Sequence, residues 1–297
     1  MSSEALTDED WRDLIVGLRT DFGRVAGAKK AMADGFEKFL VFPNKYVAIA
    51  NVCADFHAQI VDAPAFQAKV PAYRSKDKLD VFEQAMRQSG ERAAAGYGAC
   101  ITLSLLTPVL AEAFINMFIL ILCRPEVRRD QKAYGDFVRS RIPERLAALH
   151  ENCFGMTGKV DETTEEYRAF LRVVNKRNRA IHGDIDPVRD RIETVFFEGK
   201  RPLFAEPGHH VAKFQDNLER LHQPDTVVED YENTHAFLHQ LTTCLEPKFK
   251  AFFEQVITDL FPGYETRAMK VTRILPDAVA MSMLAGARYD DELEVGW

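Results

Sequence analysis

The chain has few cysteines and few signals for β-strands, and each of these features excludes some classes of protein. Its 297 residues include five cysteines, an odd number, and none of them belongs to a CxxC pair. Scattered thiols of this kind are typical of a reducing compartment and argue against a disulfide framework or a cysteine-based zinc cluster. Apolar residues recur at spacings of three and four instead of alternating, which predicts a mainly α-helical protein.

Common cofactor and nucleophile motifs are missing as well. The sequence has no P-loop, no glycine-rich dinucleotide motif and no GxSxG. His235 and His239 have the spacing of two metal ligands on a helix, but neither an HExxH glutamate nor an evident third ligand accompanies them. A pair of core or surface histidines is therefore the favoured interpretation, and we expect neither a metal nor a cofactor.

An excess of positive charge is also lacking, since 38 basic residues face 45 acidic ones and the formal net charge is −7. This balance argues against a protein that coats DNA through its overall charge. Two segments nevertheless carry local positive charge, residues 168–191 with a net of +4 and residues 124–145 with a net of +3. For the second segment a solvated helix face is an equally good interpretation.

The first ten residues, MSSEALTDED, lack the apolar run of a signal peptide, which predicts a cytoplasmic protein. Residues 101–123 are apolar and long enough to span a bilayer. Glu112 and Asn116 lie one helical turn apart near the middle of that stretch, where polar groups are costly in lipid, and Pro108 interrupts it. We therefore expect a buried core helix and no membrane span.

The spacing of apolar residues and of proline and glycine predicts a series of helices. Their approximate limits are residues 8–24, 26–40, 47–61, 76 into the 90s, 102–123, 134–150, 163–182 and 226–259, the last broken at Pro247. The stretch ERAAAGYGAC is expected to form a loop or hinge, and RIETVFFEGKRPLF a short β-hairpin with Glu198 and Gly199 in its turn. At most one further helix is expected after Pro262.

The helix from Thr163 or Thr164 ends in RNRAIHGD, residues 177–184, and this ending is unusual. Its apolar rows turn polar over the last turns, and Gly183 fits the position just past a helix C-terminus. The negative end of the helix dipole favours a protonated His182, whereas Arg177 and Arg179 oppose it. The imidazole should therefore titrate near neutrality, as a proton-transfer group must.

An ordinary helix end is the alternative interpretation of this stretch. A histidine five residues after an arginine arises easily by chance, and Arg145 and His150 repeat the spacing elsewhere in the chain. That second pair lacks the asparagine after the arginine and the glycine after the histidine. The full string, Arg-Asn, three residues, His-Gly at a helix end, is much more specific.

The string RNRAIHG resembles the signature of HEPN domains (higher eukaryotes and prokaryotes nucleotide-binding), and the resemblance extends over roughly residues 91–262. It implies an all-α bundle that pairs as a two-fold dimer with a composite active site. Many such domains are metal-independent ribonucleases of toxin–antitoxin or phage-defence systems, while others keep the fold without activity. Residues 1–90 then form an additional N-terminal helical region, and residues 263–297 a C-terminal extension with an acidic tail.

The resemblance implies that Arg177, Asn178 and His182 are the catalytic residues and that RNA is the substrate. Lys176 and Arg179 are candidate RNA-binding residues beside them. A buried carboxylate needs a partner, so Glu112, with Asn116 one turn away, is expected to support the site by pairing with Arg177, or else to pair with another core arginine.

Three functions remain open at this point. The first is a HEPN-type endoribonuclease that acts as a toxin or defence effector, with an antitoxin or defence protein as a further partner. The second is a catalytically inactive HEPN-fold dimer that binds RNA or protein. The third is a helical interaction protein in which RNRAIHG is a plain helix end.

Overall fold

The computed structural model describes residues 7–62, 79–182, 186–188, 191, 194–203 and 210–274, and the side chains of residues 8, 178–182 and 210–215 lie outside this description. The described chain is all-α with small antiparallel sheets, as predicted. The helices are α1 (Asp8–Asp34), α2 (Lys45–Val61), α3 (Leu79–Leu122), α4 (Pro125–Arg129), α5 (Gln131–Arg139), α6 (Ile142–Asn152), α7 (Glu165–His182), α8 (His210–His222), α9 (Pro224–Thr243) and α10 (Pro247–Ile257).

Helix α3 is the centre of the fold. It has 44 residues, so it is roughly 66 Å long at 1.5 Å per residue. Helices α2, α7, α9 and α10 all pack against it. Its most deeply buried large side chains include Leu103, Leu110, Ile115, Phe118 and Ile119. These residues form the middle of the hydrophobic core.

The predicted loop or hinge over residues 91–100 is wrong, because α3 runs through it without a break. Gly96, Tyr97, Ala99 and Cys100 are buried there. A glycine costs about 1 kcal/mol relative to alanine inside a helix, and burial of the flanking apolar side chains outweighs that cost. Pro108 also lies inside α3, so it does not end the helix either.

By length and composition α3 could cross a membrane, and 61% of its most apolar 18-residue window is buried inside the protein. Such burial is what a core helix requires. That the protein is located away from a membrane remains a prediction.

Helix α1 replaces the two helices predicted over residues 8–40. Thr7 and Asp10 form a capping box at its start, and the helix continues to Asp34. Almost every described residue of α1 is exposed, including Trp11 and Phe22. Because so little of α1 is buried against the rest of the chain, helical periodicity alone could not locate its end.

The single helix predicted over residues 134–150 is also wrong, since α5 and α6 divide that stretch. Asp130 caps α5 by accepting hydrogen bonds from the N–H groups of Lys132 and Ala133. Pro143 lies in the first turn of α6, where its missing N–H does no harm. By contrast, the predicted break at Pro247 is confirmed, because α9 ends at Thr243 and α10 begins at Pro247.

The strands comprise one sheet that the sequence did not predict and one hairpin that it did. β1 (Phe39–Val41), β4 (Gly263–Glu265) and β5 (Lys270–Thr272) form an antiparallel sheet in the order β1-β4-β5. β2 (Phe196–Glu198) and β3 (Arg201–Leu203) form the expected hairpin, with its turn at Gly199 and Lys200, one residue later than predicted. Strands of three residues are too short to show a periodic pattern.

A buried aromatic cluster joins α2 to α9. The ring centroid of Tyr231 lies 5.0 Å from that of His57 and 4.5 Å from that of His235. His235 is only 4% exposed, which agrees with its interpretation as a core histidine. Burial lowers the pKa of His57 below its ordinary value of 6.5, and the carboxylates of Glu232 and Asp62 partly oppose this shift.

The pKa of His57 predicts an acid-sensitive fold. Because the folded-state pKa is depressed, the unfolded chain binds the proton more readily, so the free energy of unfolding should fall as the pH drops below about 6.5. A His57→Phe variant should lose this part of the pH dependence. Urea denaturation of both proteins between pH 7.5 and pH 5.5 measures the effect, and identical pH profiles would contradict it.

Candidate functional site

Helix α7 carries the RNRAIHG sequence, and its first half is anchored in the core. The hydroxyl oxygen of Thr164 accepts a hydrogen bond from the N–H of Tyr167 at 3.3 Å, which caps the helix start. Phe170 is fully buried and stacks on Phe237 of α9, with ring centroids 4.4 Å apart and planes 5° apart. Val173, one turn later, is also buried. Packing on α9 therefore fixes the position of α7.

The last two described turns of α7 contain Arg177, Asn178 and His182, and the helix reaches His182 as predicted. Arg177 continues the row of Phe170 and Val173, because the spacings are three and four residues. It is half-buried, and its Nε atom is buried. The side chains of Asn178, Arg179 and His182 lie outside the described residues, as does Gly183. The helical position of the motif is thus established, whereas the catalytic roles of its side chains remain predictions.

Lys176, a candidate RNA-binding residue, forms an ion pair with α9. Its Nζ atom lies 2.8 Å from Oδ2 of Asp230. The pair lines a polar hollow of about 510 Å³ between α7 and α9. Arg172 and Glu229 line the same hollow, so its basic and acidic side chains are balanced. The hollow is therefore not a basic cleft, and Lys176 joins α7 to α9.

Glu112 and Asn116 bind Arg145 of α6. The guanidinium of Arg145 donates from Nη1 to Oδ1 of Asn116 at 2.7 Å and from Nη2 to Oε1 of Glu112 at 2.6 Å. The side chain of Arg145 is 5% exposed and that of Glu112 is 37% exposed. Two partners were possible for Glu112, and the structure shows that it pairs with a core arginine other than Arg177, namely Arg145. The Glu112, Asn116 and Arg145 triad joins α3 to α6 and supports the fold.

Sequence reasoning set Arg145 aside as part of a chance repeat of the Arg-to-His spacing, and so missed its role. The available signal was the spacing of Glu112 and Asn116, which places a carboxylate and an amide oxygen one helical turn apart. One planar guanidinium can bind two such acceptors at once. His150, the partner of Arg145 in the repeat, is half-buried near the end of α6.

The two segments with local positive charge present less free charge than their composition suggests. In residues 124–145, Arg128 and Arg145 are buried, with 7% and 4% exposure. In residues 168–191, Arg172 pairs with Glu165 and Lys176 pairs with Asp230. Part of the basic charge in both segments therefore holds helices together, and a count from the sequence overstates the charge open to RNA.

Comparison with known proteins found no match to this chain. No protein-family profile matches the chain, and neither a curated protein nor a solved structure matches it.

The triad predicts that Arg145 is a stability residue. Arg145→Ala should lower the free energy of unfolding by about 3 kcal/mol, because it leaves a partly buried carboxylate without its partner. The matched control is Arg172→Ala, which breaks the exposed pair with Glu165 and should cost less than about 0.5 kcal/mol. Chemical denaturation measures both variants. Equal costs would show that burial of the Arg145 pair does not matter.

Proposed function

We propose that this protein is a metal-independent endoribonuclease of the HEPN type, located in the cytoplasm and acting as a toxin or phage-defence effector. Its catalytic residues would be Arg177, Asn178 and His182. The proposal rests on one observation above all. Helix α7 runs from a buried, stacked start and reaches His182, so the whole string from Arg177 to His182 lies on one packed helix.

The rigidity of α7 supports the proposal. An RNA-cleaving site must hold its groups in fixed positions, and sites built on packed helices do so better than sites on loops. The stacking of Phe170 on Phe237 and the Lys176–Asp230 ion pair tie α7 to α9 on the approach to the motif. Arg177 follows directly after Lys176, so its backbone is held on the same packed helix.

The residue types suit cleavage of RNA by its own 2′-hydroxyl. That oxygen attacks the adjacent phosphorus, the bond to the 5′-oxygen breaks, and the products are a 2′,3′-cyclic phosphate and a 5′-hydroxyl. His182 would accept the proton of the 2′-hydroxyl or donate one to the leaving oxygen, a contribution typically worth about 10²–10⁴-fold. Arg177 would bind the phosphate oxygens through its planar guanidinium, and Asn178 would orient the histidine or a phosphate oxygen.

A two-fold dimer would complete the site, because one His182 could accept a proton while the other donates one. Closed two-fold symmetry is the commonest way for identical chains to pair, and it would bring the two copies of His182 together if the end of α7 lay beside the two-fold axis. RNA is the proposed substrate, and an antitoxin or defence protein is a proposed further partner.

The purified protein should cleave RNA in the presence of EDTA and leave DNA of the same sequence intact, because DNA lacks the attacking hydroxyl. His182→Ala and Arg177→Ala should each reduce the cleavage rate at least about 100-fold, the loss expected when a proton-transfer or charge-stabilising group is removed. Denaturing gels of a mixed cellular RNA and of a defined oligonucleotide measure the rates.

The chain supplies its own matched control, since His150→Ala removes a histidine that also follows an arginine by five residues and also lies near a helix end. This variant should cleave RNA at the wild-type rate. Equal loss of activity in His150→Ala and His182→Ala would contradict the assignment of the site. Cleavage of DNA at a comparable rate would contradict the reaction.

The exposed face of α1 favours a second candidate function, a catalytically inactive dimeric module. Trp11, Ile15, Leu18, Phe22 and Val25 follow alternating spacings of four and three residues, the pattern by which a helix pairs with another helix. Leu18 is 61% exposed and Phe22 is 67% exposed. The first four of these residues are exposed and Val25 is half-buried, and a row of exposed large apolar side chains is a feature of interaction surfaces.

If α1 pairs with α1 of a second copy, Leu18→Asp combined with Phe22→Asp should convert a dimer to a monomer. Thr20→Asp is the matched control, because Thr20 lies on the opposite face of the helix and should leave the dimer intact. Light scattering after size-exclusion chromatography measures the mass of each variant. A dimer that is lost in the double variant, together with RNA that stays uncut by the wild type, would favour this second function. An unchanged mass of the double variant would contradict pairing through α1.

A further inference from the structure

A cavity of about 610 Å³ lies where the C-terminal end of α3 meets α10 and the β4–β5 hairpin. Its size is within the range of small-molecule sites, roughly 300–1,000 Å³. Arg177, the residue of the proposed ribonuclease site whose side chain is described, does not line this cavity.

Four aromatic side chains from three segments line the cavity. They are Phe39 of β1, Phe154 after α6, and Phe249 and Phe252 of α10. The rings of Phe154 and Phe249 are stacked, with centroids 6.3 Å apart and planes 12° apart. Phe154 is 36% exposed and Phe252 is 38% exposed. Apolar surface is thus open to solvent inside a concave site, where a bound apolar group would cover it.

A buried arginine also lines the cavity. Arg128 is 7% exposed, and its guanidinium donates hydrogen bonds to the backbone carbonyls of Leu120, Ile119 and Met269. These acceptors join the end of α3 to the β4–β5 hairpin. They are uncharged, and no ion pair formed within the described residues includes Arg128. Its Nε atom is buried without a hydrogen-bond partner in that same part of the chain. The cavity therefore has a positive charge in its wall that no described carboxylate neutralises.

Two lysines add to this charge. Lys248 and Lys270 line the cavity and are exposed, and neither forms an ion pair with a described residue. Two carboxylates, those of Glu37 and Glu265, also line it. The carboxylate of Glu265 accepts hydrogen bonds from the N–H groups of Arg267 and Ala268, which hold it in the hairpin turn. The lining therefore carries three cations and two carboxylates, a net charge of +1, and the position of one of the carboxylates is fixed by the turn.

We infer that this cavity binds a small amphipathic anion, with an aromatic or acyl body against the phenylalanine rings and a carboxylate or phosphate group at Lys248 and Lys270. Apolar walls with a few convergent polar groups are the usual composition of a ligand site, and the unbalanced positive charge selects an anionic head. Arg128 keeps its bonds to the three carbonyls and contributes its charge to the cavity. This inference does not depend on the ribonuclease activity.

The test uses the full chain and the fluorescence of 8-anilinonaphthalene-1-sulfonate, an aromatic anion. Decanoate and decyl phosphate, below the concentrations at which they form micelles, should each displace the probe, whereas decylammonium of the same chain length should not. The relative affinities of decanoate and decyl phosphate then distinguish a carboxylate head from a phosphate head. Displacement by decylammonium equal to that by decanoate would overturn the inference.

Substitutions of residues that line the cavity test whether the ligand binds there. Lys248→Ala combined with Lys270→Ala should weaken decanoate binding at least about tenfold, the loss expected when charged hydrogen bonds to the head group are removed. Lys132→Ala, at an exposed lysine outside the cavity lining, should change nothing. Ala268→Trp places a bulky side chain at an exposed lining position and should abolish binding while the circular dichroism spectrum stays unchanged. Affinities that are the same in the double lysine variant, in Ala268→Trp and in the wild type would overturn the inference.

Discussion

Burial of α3 is the constraint on which the rest of this structure depends. Helices α2, α7, α8, α9 and α10 pack against its apolar surface, and that surface accepts a polar group only where the group has a partner. Glu112 and Asn116 meet this requirement by binding Arg145. The same burial explains why Gly96 and Pro108 do not break the helix, since the packing of their neighbours outweighs the local preference of each residue for a helix end.

The sequence predicted the elements whose signals are local and strong. The hairpin near Gly199 and the start of α10 at Pro247 both follow from turn or cap chemistry within a few residues. Elements that depend on distant contacts could not be predicted in this way. β1 pairs with β4 across more than 200 residues of chain, and three-residue strands carry no periodic signal. The partner of Glu112 was undetermined for the same reason, because several arginines in the sequence could have reached it.

The two Arg-to-His repeats illustrate how similar spacings serve different purposes. Arg145 lies inside the protein, where its guanidinium joins two helices by binding Glu112 and Asn116. Arg177 lies at the end of a helix that is anchored by Phe170 and then turns polar. The candidate site could be located from the sequence because Asn178 and Gly183 accompany the second repeat and not the first. The exposed basic charge around the candidate site could not be predicted from the sequence, because the ion pairs of Arg172 and Lys176 with carboxylates are seen only in the folded structure.

The proposed function requires that the end of α7 cleaves RNA through the 2′-hydroxyl of its substrate. The most direct measurement is mass spectrometry of the RNA ends produced by the purified protein in EDTA, from an oligonucleotide and from a copy with a single 2′-deoxy nucleotide at the cut site. We expect 2′,3′-cyclic phosphate and 5′-hydroxyl ends from the first oligonucleotide and no cleavage at that position in the second. Fragments with 3′-hydroxyl and 5′-phosphate ends, or cleavage at the deoxy position, would contradict it.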